Sequence, residues 1–153
     1  GRLFDAGASI VGLRDVARFE GQAAMEIEFA LDGVETDDAY PLPLVDGVLD
    51  WGPMVVQVLS DVARGEPVGL VSARFHNALV EAIVAVAAES GEERVVLTGG
   101  CFQNRYLTER AVRRLRESGR SPYWHRQVPP NDGGIALGQL CAGGEDHVSG
   151  RPG

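Results

Sequence analysis

Two places in this sequence bring together residue types that can do chemistry. The first is Thr98-Gly99-Gly100-Cys101-Phe102-Gln103-Asn104, directly behind the apolar run Val95-Val96-Leu97. Two glycines remove the Cβ atoms that would keep a ligand away. A helix opening near Asn104 would also offer unpaired N–H groups to an anion such as a phosphate. A plain strand-to-helix turn would use the same residues. The second is Pro129-Pro130-Asn131-Asp132-Gly133-Gly134. A carboxylate on so tight a loop can hold a divalent metal or orient a ribose, and it can equally cap a helix. As a metal ligand Asp132 would need two or more companions.

The other reactive side chains offer less. Cys101 at a helix start would have a lowered thiol pKa, but no base lies near it in sequence, and a small buried residue is the better description. His76 sits beside an apolar helical stripe and reads as a packing residue. His125 falls in a strand and His147 in the tail, and no HxxxH pair occurs. Arg110, Arg113, Arg114 and Arg116 read as a solvated helix face. No catalytic residue is assigned.

The elements that must hold these two loops follow from periodicity. Val95–Leu97 has the length of one buried strand, and Leu107, Ala111 and Leu115 share one face of the helix behind Asn104. Tyr123–Val128 is a second strand, so strand, helix and strand form a βαβ unit with both loops at the carboxyl edge of a parallel pair. Ahead of it, helices are expected over 3–13, 21–31, 53–64 and 69–89. Ala24, Ile27 and Leu31 would face inward in the second, with Glu26 and Glu28 in water. Met54, Val55, Val58, Leu59 and Val62 would face inward in the third. Asp46-Gly47 between apolar runs predicts a hairpin within 40–51. Ile135–Cys141 is a short helix, and the glycine-rich end from Gly143 is a loose tail.

The chain has 153 residues, 44% hydrophobic and 24% charged, with net charge −8. That suits a single domain with a real core and opposes broad nucleic-acid or anionic-membrane binding. All 14 basic residues are arginine, which excludes a P-loop and a Schiff-base lysine within this chain. Two cysteines make no disulfide framework, and a cytoplasmic location is expected. There is no run of apolar residues long enough for a membrane span. The start at Gly1-Arg2-Leu3-Phe4, already inside structure, reads as a piece of a longer protein.

Gly99-Gly100-Cys101-Phe102-Gln103-Asn104 and Pro129–Gln139 together resemble the C-terminal part of the HypF carbamoyltransferases of nickel–iron hydrogenase maturation. Gly1–Ala6, Phe19–Met25 and Ala73-Arg74-Phe75-His76-Asn77 agree with the same family, in the same order. The resemblance implies an α/β, actin-like (ribonuclease H-like) C-terminal lobe, a mixed sheet flanked by helices, over residues 1–144, with a flexible tail over 145–153. It implies that ATP and carbamoyl phosphate yield a carbamoyl adenylate, whose carbamoyl group passes to the C-terminal cysteine of a HypE-like acceptor protein. It assigns Gly99, Gly100 and Asn104 to nucleotide contact, Asp5 to the neighbourhood of the ribose, and Asp132 to a divalent metal. The family's metal-binding histidines belong to a preceding lobe, so the isolated chain is expected to be inactive. Cys101 stands where the family more often has a small aliphatic residue. Two other classes compete: a sugar or acetate kinase lobe of the same superfold, and a docking lobe without catalysis.

Overall fold

The computed structural model describes residues 2–13 and 16–145. In chain order the elements are α1 (Arg2–Ile10), α2 (Gln22–Phe29), β1 (Leu44–Val45), β2 (Val48–Leu49), α3 (Gly52–Ala63), α4 (Val68–Ser90), β3 (Arg94–Leu97), α5 (Arg105–Glu117), β4 (Ser121–Trp124) and α6 (Ile135–Glu145). Short 3-10 turns, Gly100–Gln103 and Asp132–Gly134, precede α5 and α6.

The helix α4 is the centre of the packing. It lies against α5, α3 and α2, and its buried Val71, Phe75, Ala78 and Val80 meet Phe4 and Ala8 of α1, Ile27 of α2 and Met54 of α3. By length and composition α4 could span a bilayer, yet 56% of its most apolar window is buried inside this protein. It also buries Ser72, His76 and Asn77, polar groups that need protein partners, so it is a core helix.

The β3–β4 pair is parallel, with Arg94 opposite Ser121 and Leu97 opposite Trp124. The expected βαβ unit is therefore present, and both candidate loops leave its carboxyl edge. Two expectations change. The second strand spans Ser121–Trp124 rather than Tyr123–Val128, because β3 starts at Arg94 and its four residues pair no further than Trp124. Nor is β3 buried on both faces: Leu97 is buried while Val96 is 67% exposed. Alternate side chains point to opposite faces of a strand, and the helices cover only one of them.

The hairpin forms as expected. Asp46 and Gly47 both take positive φ, 51° and 75°, the geometry of a two-residue turn that matches strand twist. The inward face of α3 differs from expectation. Met54, Val58 and Asp61 are buried, whereas Leu59 and Val62 are 51% and 38% exposed. The helix is turned so that a carboxylate faces the core, where Tyr40 Oη donates to Asp61 Oδ2 at 2.6 Å and Arg74 Nη1 at 2.9 Å. Arg64 also pairs with Asp61. The helix α6 continues through Gly143 to Glu145, so these residues are helical and not part of the expected tail. Beyond residue 145 it lies outside the described residues.

Candidate functional site

The β3 strand ends at Leu97, and the chain turns at Gly99 with φ 103° and ψ 162°. That region is open essentially to glycine alone. No atom lies within 4 Å of where a Cβ at Gly99 or Gly100 would sit. The requirement for glycine at 99 is therefore conformational, and the turn presents an open face.

The second loop comes to meet it. Gly99 N donates to the Pro130 carbonyl at 2.8 Å, and Thr98 Oγ1 lies 3.1 Å from His125 Nε2. The two loops are thus joined at the carboxyl edge of the sheet. In the second, Asn131 Oδ1 accepts from Gly133 N at 3.1 Å and caps the 3-10 turn. A Cβ on Gly134 would sit 2.8 Å from the Pro129 carbonyl, so the loop closes on itself only with glycine there. Asn131, not Asp132, does the capping, and Asp132 is left exposed in the first turn.

The α5 terminus corrects an expectation. Its first N–H groups are not open to an anion. Glu28 Oε1 accepts from Arg105 N at 2.7 Å and Tyr106 N at 3.3 Å, and Asn104 Oδ1 accepts from Leu107 N at 2.8 Å. Glu28, expected in water, has been drawn to the positive end of α5.

Asn104 is 7% exposed, and its Nδ2 faces His76 Nε2 at 2.9 Å. His76 is fully buried, with Nδ1 2.8 Å from the Ser72 carbonyl. A carbonyl only accepts, so Nδ1 carries the proton and Nε2 accepts from Asn104. Burial pushes the His76 pKa down to about 4. The unfolded histidine, with an ordinary pKa of about 6.5, binds a proton that the folded one refuses. The stabilisation is complete above about pH 6.5 and is lost as pH falls toward 4, about 3 kcal/mol in all. Urea unfolding at pH 7 and pH 4.5 should show this slope, and His76→Gln should remove it.

Cys101, expected as a buried filler, is exposed. With Phe102 it lines an open apolar groove of about 640 Å³, shared with Leu3, Phe4, Ile83 and Val95. Asp5 is exposed on α1, next in sequence to Phe4 of that groove. Among the described residues no three His, Cys, Asp or Glu side chains cluster to hold a metal.

The family model described as "Carbamoyltransferase, Kae1-like Domain, second subdomain" matches residues 1–139. The chain belongs to the HypF carbamoyltransferase family. It is 40% identical over 146 residues to the carbamoyltransferase HypF of Synechocystis sp., covering 93% of this chain and 19% of that protein. It is 43% identical over 144 residues to the HypF of Rhizobium leguminosarum bv. viciae, covering 91% and 18%. A crystal structure of full-length HypF in a phosphate- and nucleotide-bound form superposes with TM-score 0.83 at 38% identity, over 98% of this chain and 20% of that one. The chain therefore spans about a fifth of the length of these relatives. The lobe is of the α/β type expected from the sequence.

Within this HypF-type lobe, three contributions were not read from the sequence. Glu28 holds the α5 terminus, Pro130 ties the loops, and His76 reaches Asn104. Glu28 reaches the backbone N–H groups of a distant helix and Pro130 acts through its own carbonyl, so neither leaves a mark in sequence. The third had one, since a histidine on an otherwise apolar stripe needs polar partners.

Proposed function

We propose that this chain forms the nucleotide-facing lobe of a carbamoyltransferase, in which ATP lies across the open Gly99-Gly100 face. The observation that carries this is the Gly99 N to Pro130 O bond of 2.8 Å, which sets the double glycine beside the Asp132 loop at one sheet edge. Water releases inorganic phosphate from carbamoyl phosphate, and the resulting carbamate oxygen attacks the α-phosphorus of ATP, so that a carbamoyl adenylate forms and pyrophosphate leaves. The thiolate of a C-terminal cysteine on a HypE-like acceptor then attacks the carbamoyl carbon, an S–C bond forms, and AMP departs with the bonding electron pair. The lobe contributes positioning. Glycines allow close backbone approach, Asn104 sets the turn and offers its remaining amide hydrogen, and Asp5 at the near end of α1 orients the ribose. Holding a labile anhydride in place accounts for much of the gain in such a transfer.

A divalent metal does not find a complete site here. Asp132 supplies one exposed carboxylate, and the described residues place no group of three beside it. Asp132 is proposed as one ligand, with its companions outside the described residues; a metal held there would offset charge on the phosphate as it leaves. For the same reason the isolated chain should show no carbamoyl transfer. A cytoplasmic location fits Cys101 and Cys141, both exposed and neither in a disulfide. The family match weighs against a sugar or acetate kinase.

Asp132→Ala in a full-length protein carrying this chain tests the proposal. Carbamoyl transfer should fall about 100-fold, with the melting temperature unchanged because Asp132 is exposed. Unchanged transfer would remove Asp132 from the mechanism.

A further inference from the structure

The geometry points to His76 as a positioning residue for nucleotide engagement: through Asn104 it holds the Gly99–Gln103 turn in the form that opens the double glycine to the ligand. The inference rests on the nucleotide reading above.

A continuous path of hydrogen bonds runs from the buried middle of the fold to the site. His76 Nδ1 donates to the Ser72 carbonyl at 2.8 Å, and Nε2 accepts from Asn104 Nδ2 at 2.9 Å. This fixes the amide orientation, since a flipped Asn104 would set its oxygen against the Nε2 lone pair. Asn104 N then donates to the Cys101 carbonyl at 3.2 Å, Phe102 N to the Gly99 carbonyl at 3.0 Å, and Gly99 N to the Pro130 carbonyl at 2.8 Å. Thr108 Oγ1 adds a tie to the Phe102 carbonyl at 3.0 Å. The imidazole itself cannot drift. The rings of Phe4, Tyr106 and Phe75 meet it edge-on at 5.5, 5.6 and 5.7 Å.

Packing alone would be served by a leucine in the same space. What leucine lacks is an acceptor for Asn104. Burial keeps His76 neutral through the physiological range, so that acceptor is always present. A site held through side chains locked in this way keeps its geometry before the ligand arrives.

Three variants in a full-length protein carrying this chain separate positioning from packing, with Gly100→Val as the reference. Asn104→Asp keeps an oxygen for Leu107 N–H, so the cap survives, but cannot donate to His76. His76→Leu removes the acceptor, and His76→Gln restores one. The expected result is a KM for ATP raised about 10-fold in Asn104→Asp and His76→Leu, the effect of one lost hydrogen bond. In that result kcat changes less, and His76→Gln stays close to wild type. The inference is overturned if Asn104→Asp leaves KM for ATP at the wild-type value while Gly100→Val raises it. If Gly100→Val leaves it unchanged as well, the nucleotide reading fails and the inference falls with it. Should His76→Leu not fold, His76→Phe, which also lacks the acceptor, takes its place beside His76→Gln, because Asn104→Asp alters a group proposed to touch the nucleotide as well.

Discussion

In a full-length protein carrying this chain, Gly100→Val should leave the melting behaviour unchanged and cut the proposed ATP-dependent carbamoyl transfer by about 100-fold or more. The contrast arises from the space around the residue. Its φ is not in the left-handed region, and no atom lies within 4 Å of the position a Cβ would take. A valine there meets solvent in the unliganded protein, so its effect on stability should stay within about 0.5 kcal/mol. The same side chain would occupy the face on which the nucleotide is proposed to lie. Gly99→Ala behaves differently. At φ 103° and ψ 162° any side chain strains the backbone, at a cost of about 1–3 kcal/mol. It therefore confounds folding with binding, which makes position 100 the cleaner probe. Transfer at the wild-type rate by Gly100→Val would move the nucleotide away from this turn.

Asp61→Ala should destabilise the fold by about 3 kcal/mol. Asp61 is 4% exposed and accepts from Tyr40 and Arg74 at 2.6 and 2.9 Å, with Arg64 closing the group. Removing the carboxylate strands the Tyr40 hydroxyl, itself on a residue only 4% exposed. The Tyr40 hydrogen bond is the leading cause that holds the Asp61 carboxyl below its usual range, with the arginines adding to it. Burial and the neighbouring carboxylate push the Tyr40 phenol up. Because the Asp61 carboxyl is depressed on folding, its contribution is present above the ordinary carboxylate range. It disappears only as pH falls through the folded value. This acid loss lies below the window of His76, so the two can be told apart in one series of urea titrations. An Asp61→Ala protein as stable as wild type would show that the three partners find water at no cost.

Much of the fold was legible because it follows from local rules. The α5 face of Leu107, Ala111 and Leu115 and the Asp46-Gly47 turn were read correctly. Each depends on neighbours within one turn or one strand pair. The inward face of α3 was not legible. The apolar residues Leu59 and Val62 compete with Asp61 for the core, and the winner depends on Tyr40 and Arg74, distant in sequence. The burial of β3 was overestimated for a related reason: an apolar run states what a strand can bury, not how many faces are covered. At the site, the two loops and their common edge were readable from motif and topology. The way the loops hold each other was not, because Gly99 and Pro130 meet through backbone atoms. The α5 terminus was misjudged likewise, since nothing local in sequence announces that Glu28 will reach it.

The central claim is that the joined loops at Gly99 and Pro130 form one nucleotide site. A crystal structure of a full-length protein carrying this chain, with ATP bound, tests it most directly. The account predicts the nucleotide in van der Waals contact with the backbone of Gly99 and Gly100, on the face that no protein atom occupies. Nucleotide bound with that turn still facing open solvent would contradict it.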